Sequence, residues 1–209
     1  MLKADEIAER LRRGPKLDPA TPAFWDARFR EGFTPWDAGG VPAAVREFLA
    51  HERARLRVLI PGCGSAHEAR AFIAAGHEVV AIDFSRAAID AARRALGDRA
   101  DVLVEGDFFS HGLGTFDLVY ERAFLCALPR AHWPRWAVRV AEVVRPRGRL
   151  GGFFFWSPDP GGPPFGLETR ELESLLAPAF DRVEDAAVVD SIPVFAGRER
   201  WQVWRRRSA

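Results

Sequence analysis

The chain has little cysteine, almost no lysine, one methionine, one tyrosine and no long apolar run. Two cysteines, Cys63 and Cys126, cannot build a disulfide framework and supply too few thiolates for a structural zinc site. The five histidines are dispersed with no HxxxH spacing, and there is no CxxC, so no metal is expected. No apolar stretch approaches the roughly 18 residues of a membrane span, so no membrane association is expected. Met1 to Arg13 is charged throughout and lacks a signal-peptide core, which points to a cytoplasmic protein. Net charge is missing too. Thirty Lys plus Arg stand against 29 Asp plus Glu, and the resulting +1 provides no field to hold a nucleic acid. Of the 30 cations only Lys3 and Lys16 are lysines, a bias best read as codon composition.

What is present suits one well-filled domain. Of 209 residues, 48% are hydrophobic and 28% charged, the balance of a globular protein. Helical spacing over Ala4 to Leu11 ends at Gly14-Pro15. From Pro19 to Pro42, Phe24, Trp25, Phe29, Phe33 and Trp36 lie among prolines and glycines. This reads as a loop-rich aromatic arm, either packed on the core or closing over a ligand. After a helix at Val41 to Ala50 the rhythm becomes α/β. Strands are expected at Leu56 to Ile60, His77 to Asp83, Asp101 to Glu105, Phe116 to Tyr120 and Leu150 to Trp156. Helices are expected between them at Glu68 to Ala75, Ala87 to Leu96 and Trp136 to Val144, the last closed by Pro146 and Gly148. That alternation predicts a mainly parallel sheet covered on both faces. The tail departs from it, with a Pro/Gly loop, a helix at Thr169 to Leu176, and strands at Phe180 to Val189 and Arg200 to Arg206. Neither a repeat nor a linker divides residues 1–209.

The turn after the first strand reads Pro61-Gly62-Cys63-Gly64-Ser65. Glycines there let the backbone approach a ligand, and Asp83, ending the second strand, offers a carboxylate to both hydroxyls of a ribose. A dinucleotide fingerprint requires a third glycine, and His67 stands in its place. S-adenosyl-L-methionine (SAM) has no pyrophosphate to cradle, so the departure favours it. Glu105-Gly106-Asp107-Phe108 agrees, since an acid and an aromatic there can bond the adenine amine and pack on its ring.

At this point the chain resembles the class I SAM-dependent methyltransferases, and within them the thiopurine S-methyltransferase superfamily. The likeness runs from Phe24 to the C-terminus. It rests on Phe24-Trp25, Phe29 and Thr34-Pro35-Trp36-Asp37, on Val58 to Gly64, on Ile82-Asp83-Phe84-Ser85, and on Glu121 to Pro129. Gly161-Gly162-Pro163-Pro164-Phe165, Ser191-Ile192-Pro193 and Gly197-Arg198-Glu199 are similar to the halide/thiol branch. The resemblance implies a Rossmann-like fold with a mainly parallel seven-stranded sheet, helices on both faces and an N-terminal aromatic lid over residues 1–41. It also implies that Trp25, Phe29, Trp36, Gly62, Asp83, Asp107, Phe108 and Arg122 contact SAM. Phe29 stands where relatives usually have Trp, and Arg122 where halide-type enzymes tend to have Tyr and thiopurine-type enzymes Arg.

Arg122 cannot serve as a base, but it can orient an anion unless Glu121 or the cofactor carboxylate holds it. Cys126, in an apolar run, reads as packing rather than as a nucleophile, and Cys63 as packed within its turn. His132, before Trp133-Pro134, reads as a surface or capping residue. Arg205 to Arg207 read as a solvated tail. No base is identified and the site is aromatic; together with the pieces similar to the halide/thiol branch, this resemblance implies a small soft nucleophile as acceptor: a thiol, thiopurine, halide or thiocyanate. O- or N-methylation of a small metabolite, or SAM binding without catalysis, are the alternatives.

Overall fold

The computed structural model of the protein describes residues 17–208 and, before them, Glu6; the helix expected over residues 4–11 otherwise lies outside the described residues. Seven strands form one sheet: β1 (Arg57–Pro61), β2 (Glu78–Asp83), β3 (Leu103–Glu105), β4 (Phe116–Arg122), β5 (Val144–Phe155), β6 (Phe180–Ala187) and β7 (Glu199–Arg206). Their order is β3-β2-β1-β4-β5-β7-β6, and only β7 runs against its neighbours. The helices are α1 (Pro22–Arg30), α2 (Ala43–His51), α3 (His67–Ala74), α4 (Arg86–Leu96), α5 (Trp133–Val143) and α6 (Glu171–Leu176).

Alternation along the strands supplies both faces. Leu59, Val119 and Phe154 face one core, with Trp133, Trp136 and Val140 of α5. Val58, Ile60, Leu118, Tyr120 and Phe153 face the other, with Phe72 of α3 and Ile89 of α4. β7 lies between β5 and β6, so it too is buried on both sides: Trp201 and Val203 enter one core and Trp204 the other. The α4 helix starts where Ser85 caps it, its hydroxyl accepting from the Ala88 N–H at 3.1 Å. Ala88, Ile89, Ala92 and Leu96 are its buried stripe.

Three expectations change. The arm is not mainly loop, because Pro22–Arg30 is helical, with a proline in its first turn. Pairing in β5 begins at Val144 rather than Leu150; its register is irregular until Arg149, with Arg147 at φ 64° in the bend. The arginine tail is tied down in part, since Arg206 donates to the Val144 carbonyl and Arg207 pairs with Asp181 at 2.8 Å.

The arm is fastened by a cap supplied from a distance. Asp26 of α1 accepts from the Ser85 hydroxyl (2.7 Å) and the Ala87 N–H (3.0 Å), at the N-terminus of α4. Burial pushes the Asp26 carboxyl up, but these bonds outweigh it and hold it below its ordinary value.

Candidate active site

The chain runs outward from β1 to β3 and then crosses back to β4, so the strand order reverses between β1 and β4. Ligands bind in the crevice beyond the strand ends at such a point. A cavity of about 630 Å³ lies there, and Trp25, Phe29, Trp36, Gly62, Asp83, Asp107, Phe108 and Arg122 all line it.

The glycine turn is shaped by sterics. Gly62 and Gly64 have φ of 58° and 51°, and a Cβ on Gly62 would sit 2.4 Å from the Phe124 ring. Asp83 holds the turn in place: the Gly64 N–H donates to Oδ2 at 3.0 Å and the Ser85 N–H to Oδ1 at 2.8 Å. Burial lifts the Asp83 carboxyl to about 6 despite these bonds. Asp107 caps its own turn as well as facing the cavity, accepting from the Phe109 N–H at 3.0 Å and the Ser110 hydroxyl at 3.2 Å. Phe108 beside it is buried and meets Phe124 edge to face, with centroids 5.4 Å apart.

Above the turn, Trp36 meets Trp25 and Phe29 edge to face at 5.3 and 6.1 Å. Asp37 reaches His67, the first residue of α3, at 3.3 Å. Phe24 is not part of this wall; it is buried beneath, with the Arg28 guanidinium over its ring.

At the far end stands Arg122. It is held not by Glu121 but by Glu199 of β7: its Nη1 donates to Oε2 at 2.8 Å. Glu121 turns the other way and accepts from the backbone N–H groups of Phe124 and Leu125 (2.8 and 3.2 Å); burial raises it to about 7. Both cysteines are buried, as expected, but both also line the cavity; desolvation pushes both thiols up, which makes them poor nucleophiles. His132 corrects its expected role. It makes no capping bond, and lines the cavity beside Phe109 with centroids 6.3 Å apart. Two short 3-10 turns, Leu125–Ala127 and Arg130–His132, lead the chain into α5 here.

Sequence reading missed Glu68, Tyr120, Phe195 and Glu199. The Tyr120 hydroxyl donates to Glu68 at 3.4 Å on the cavity wall, and burial raises the Glu68 carboxyl. Glu68 was within reach, since it sits in the first helical turn after the glycine loop. Glu199 stood out only within the family-like Gly197-Arg198-Glu199 segment, and nothing local tied it to Arg122, 77 residues away. Among the described residues no cluster of acid, His or Cys side chains is set to hold a metal, and no helix is long and apolar enough to cross a membrane.

Known proteins share this architecture. A methyltransferase from Burkholderia thailandensis, 1,6-didemethyltoxoflavin-N1-methyltransferase, solved with S-adenosylhomocysteine, has the same fold. Its TM-score is 0.68 at 21% identity, over 93% of each chain. In sequence, thiocyanate methyltransferase 1 of Arabidopsis thaliana is 28% identical over 87% of this chain and 84% of its own. Thiopurine S-methyltransferase of Pseudomonas putida is also 28% identical, over 83% of this chain and 91% of its own. The family model for thiopurine S-methyltransferase matches residues 20–207, nearly the whole length, and the chain therefore belongs to the thiopurine S-methyltransferase family.

Proposed function

We propose that this protein methylates a small soft nucleophile, a thiol, thiopurine, halide or thiocyanate, with SAM as donor. The observation that carries this reading is the order of side chains along the cavity. Adjacent strands lie about 4.8 Å apart, so two spacings, about 10 Å, separate β3 from β1. That is the reach of an adenosine. Asp107 and Phe108 at β3 take the base, Asp83 at β2 the ribose, and the open glycine turn at β1 the sulfur-bearing chain. Arg122, Cys126, Pro163, Pro164, Val194 and Phe195 then form the acceptor end. The cavity volume falls within the range of small-molecule sites.

Bound SAM supplies a methyl group already activated on a sulfonium. The chain's task is then to align an acceptor with it and exclude water. Trp25, Phe29 and Trp36 roof the site, and an aromatic face against the sulfonium contributes about 0.5–2 kcal/mol. Arg122 supplies N–H donors that orient the acceptor. The apolar wall favours a reaction in which anion and sulfonium lose charge together. The Arabidopsis and Pseudomonas relatives, by their names, act on thiocyanate and a thiopurine. Both are soft acceptors.

An acceptor panel scored by release of S-adenosylhomocysteine tests the reading. Thiol turnover will rise with pH toward the pKa of the thiol, because the thiolate is the reactive form. Iodide turnover will stay nearly flat over the same range. Efficient use of hydroxyl or amine acceptors with none of thiols, thiopurines or iodide would sink the assignment.

The arm makes a separate prediction. Amide exchange over residues 20–40 will slow when S-adenosylhomocysteine saturates the site, because the ligand fills the space under the roof. Unchanged exchange at saturation would make the arm packing alone.

A further inference from the structure

Among the described residues, the acceptor end carries one arginine and a carboxylate paired with it. Two arginines line the cavity, and Arg135 lies over Phe109, on the adenosine side. Arg122 stands by the wall of Val194 and Phe195. Its side chain is 10% exposed and that of Glu199 only 2%. Glu199 is gripped from two directions: Arg122 donates to one oxygen and the Ser191 hydroxyl to the other. The guanidinium also lies over the Phe153 ring at 4.3 Å and near Phe195 at 5.6 Å, so its plane is held. An acceptor arriving here meets guanidinium N–H donors whose positive charge has already been balanced.

We propose that Glu199 sets the acceptor end's affinity for anions: by neutralising Arg122 it weakens the hold on anionic acceptors, thiocyanate and thiolates alike, and leaves Arg122 to act as an orienting hydrogen-bond donor. The proposal rests on the functional reading above. An anion gains hydrogen bonds from Arg122 but little net attraction, since Glu199 repels it from just behind. Sequence separation explains why the device is invisible locally: Arg122 ends β4, while Glu199 opens β7 opposite Phe155 of β5.

The test measures thiocyanate binding to the complex of the protein with S-adenosylhomocysteine, by calorimetry and so without turnover. Glu199→Gln keeps the shape and removes the charge. It will bind thiocyanate at least fivefold more tightly, and lower the KM for thiophenol, which reacts as its thiolate, by a similar factor. Glu199→Asp, which restores the charge, will remain within twofold of wild type in both. If Glu199→Gln does not fold, Arg122→Gln reports instead: it leaves Glu199 unbalanced and will weaken thiocyanate binding at least tenfold. The proposal is overturned if a folded Glu199→Gln, with unchanged S-adenosylhomocysteine affinity, binds thiocyanate no better than wild type. It is equally overturned if Arg122→Gln leaves thiocyanate affinity intact. A wild-type protein that binds S-adenosylhomocysteine but methylates no soft acceptor would instead overturn the functional reading.

Discussion

Replacing Asp83 with alanine will lower the affinity for SAM by about ten- to a hundredfold, the 1.5–3 kcal/mol carried by hydrogen bonds to a charged group. Each carboxylate oxygen takes one backbone N–H, from Gly64 or Ser85, and keeps a lone pair for a ribose hydroxyl. Titration calorimetry with S-adenosylhomocysteine at pH 8 checks it, and equal affinity in the variant would remove Asp83 from the site. A pH signature accompanies the loss. The carboxyl titrates at about 6, so wild-type affinity will fall as the pH drops through 6 and the acceptor oxygen is protonated. In Asp83→Ala that fall will be absent. Stability moves the other way. The folded pKa is raised from 3.8 to about 6. The stabilisation linked to this group is therefore fully present below 3.8 and lost as the pH rises through 6, on the order of 3 kcal/mol. Acidifying from pH 7 to 5 thus relieves strain on the fold while emptying the ribose site.

Gly152→Ala will be the most damaging single methyl group in the sheet. Gly152 pairs with Glu121 across the β4–β5 ladder, and a Cβ there would lie 2.0 Å from the Glu121 carbonyl oxygen and 2.7 Å from its carbonyl carbon. Both are backbone atoms in central strands, so no rotamer relieves the contact. The expected loss is about 3 kcal/mol or more, at the upper end for overpacking, read as a lower urea midpoint. Because β4 delivers Arg122 and Glu121, binding will suffer with it. Gly197→Ala is the control. Its φ is 72° with nothing within 4 Å of the added carbon, so only left-handed strain of about 1–2 kcal/mol applies. A Gly152→Ala protein as stable as Gly197→Ala would mean that the ladder is looser than its geometry indicates.

The two sources of the family likeness meet inside the cavity. Arg122 matches the thiopurine-type pattern, and the Gly197-Arg198-Glu199 segment is similar to the halide/thiol branch. In the fold these two pieces form one ion pair. An acceptor preference taken from either branch alone therefore omits half of the device.

The sequence by itself determined the strand–helix rhythm, the glycine turn and the acids ending β2 and β3. These depend on short-range physics: side-chain periodicity, left-handed φ at Gly62 and Gly64, and a carboxylate placed where a strand must stop. All eight proposed cofactor contacts line one cavity because most of them are tied to strand ends or to the turn between them. Tertiary structure decided what local pattern could not express. Pro22–Arg30 is a helix of little amphipathic contrast, stabilised from outside when Asp26 reaches the N-terminus of α4. His132 lines the cavity although the Trp133-Pro134 that follows it reads as a surface helix start. Glu199 found Arg122 only because antiparallel β7 inserts between β5 and β6, which brings residues 77 apart within 2.8 Å. Charge balance is a property of distances in space, so the electrostatics of the acceptor end existed nowhere in the chain until the sheet closed.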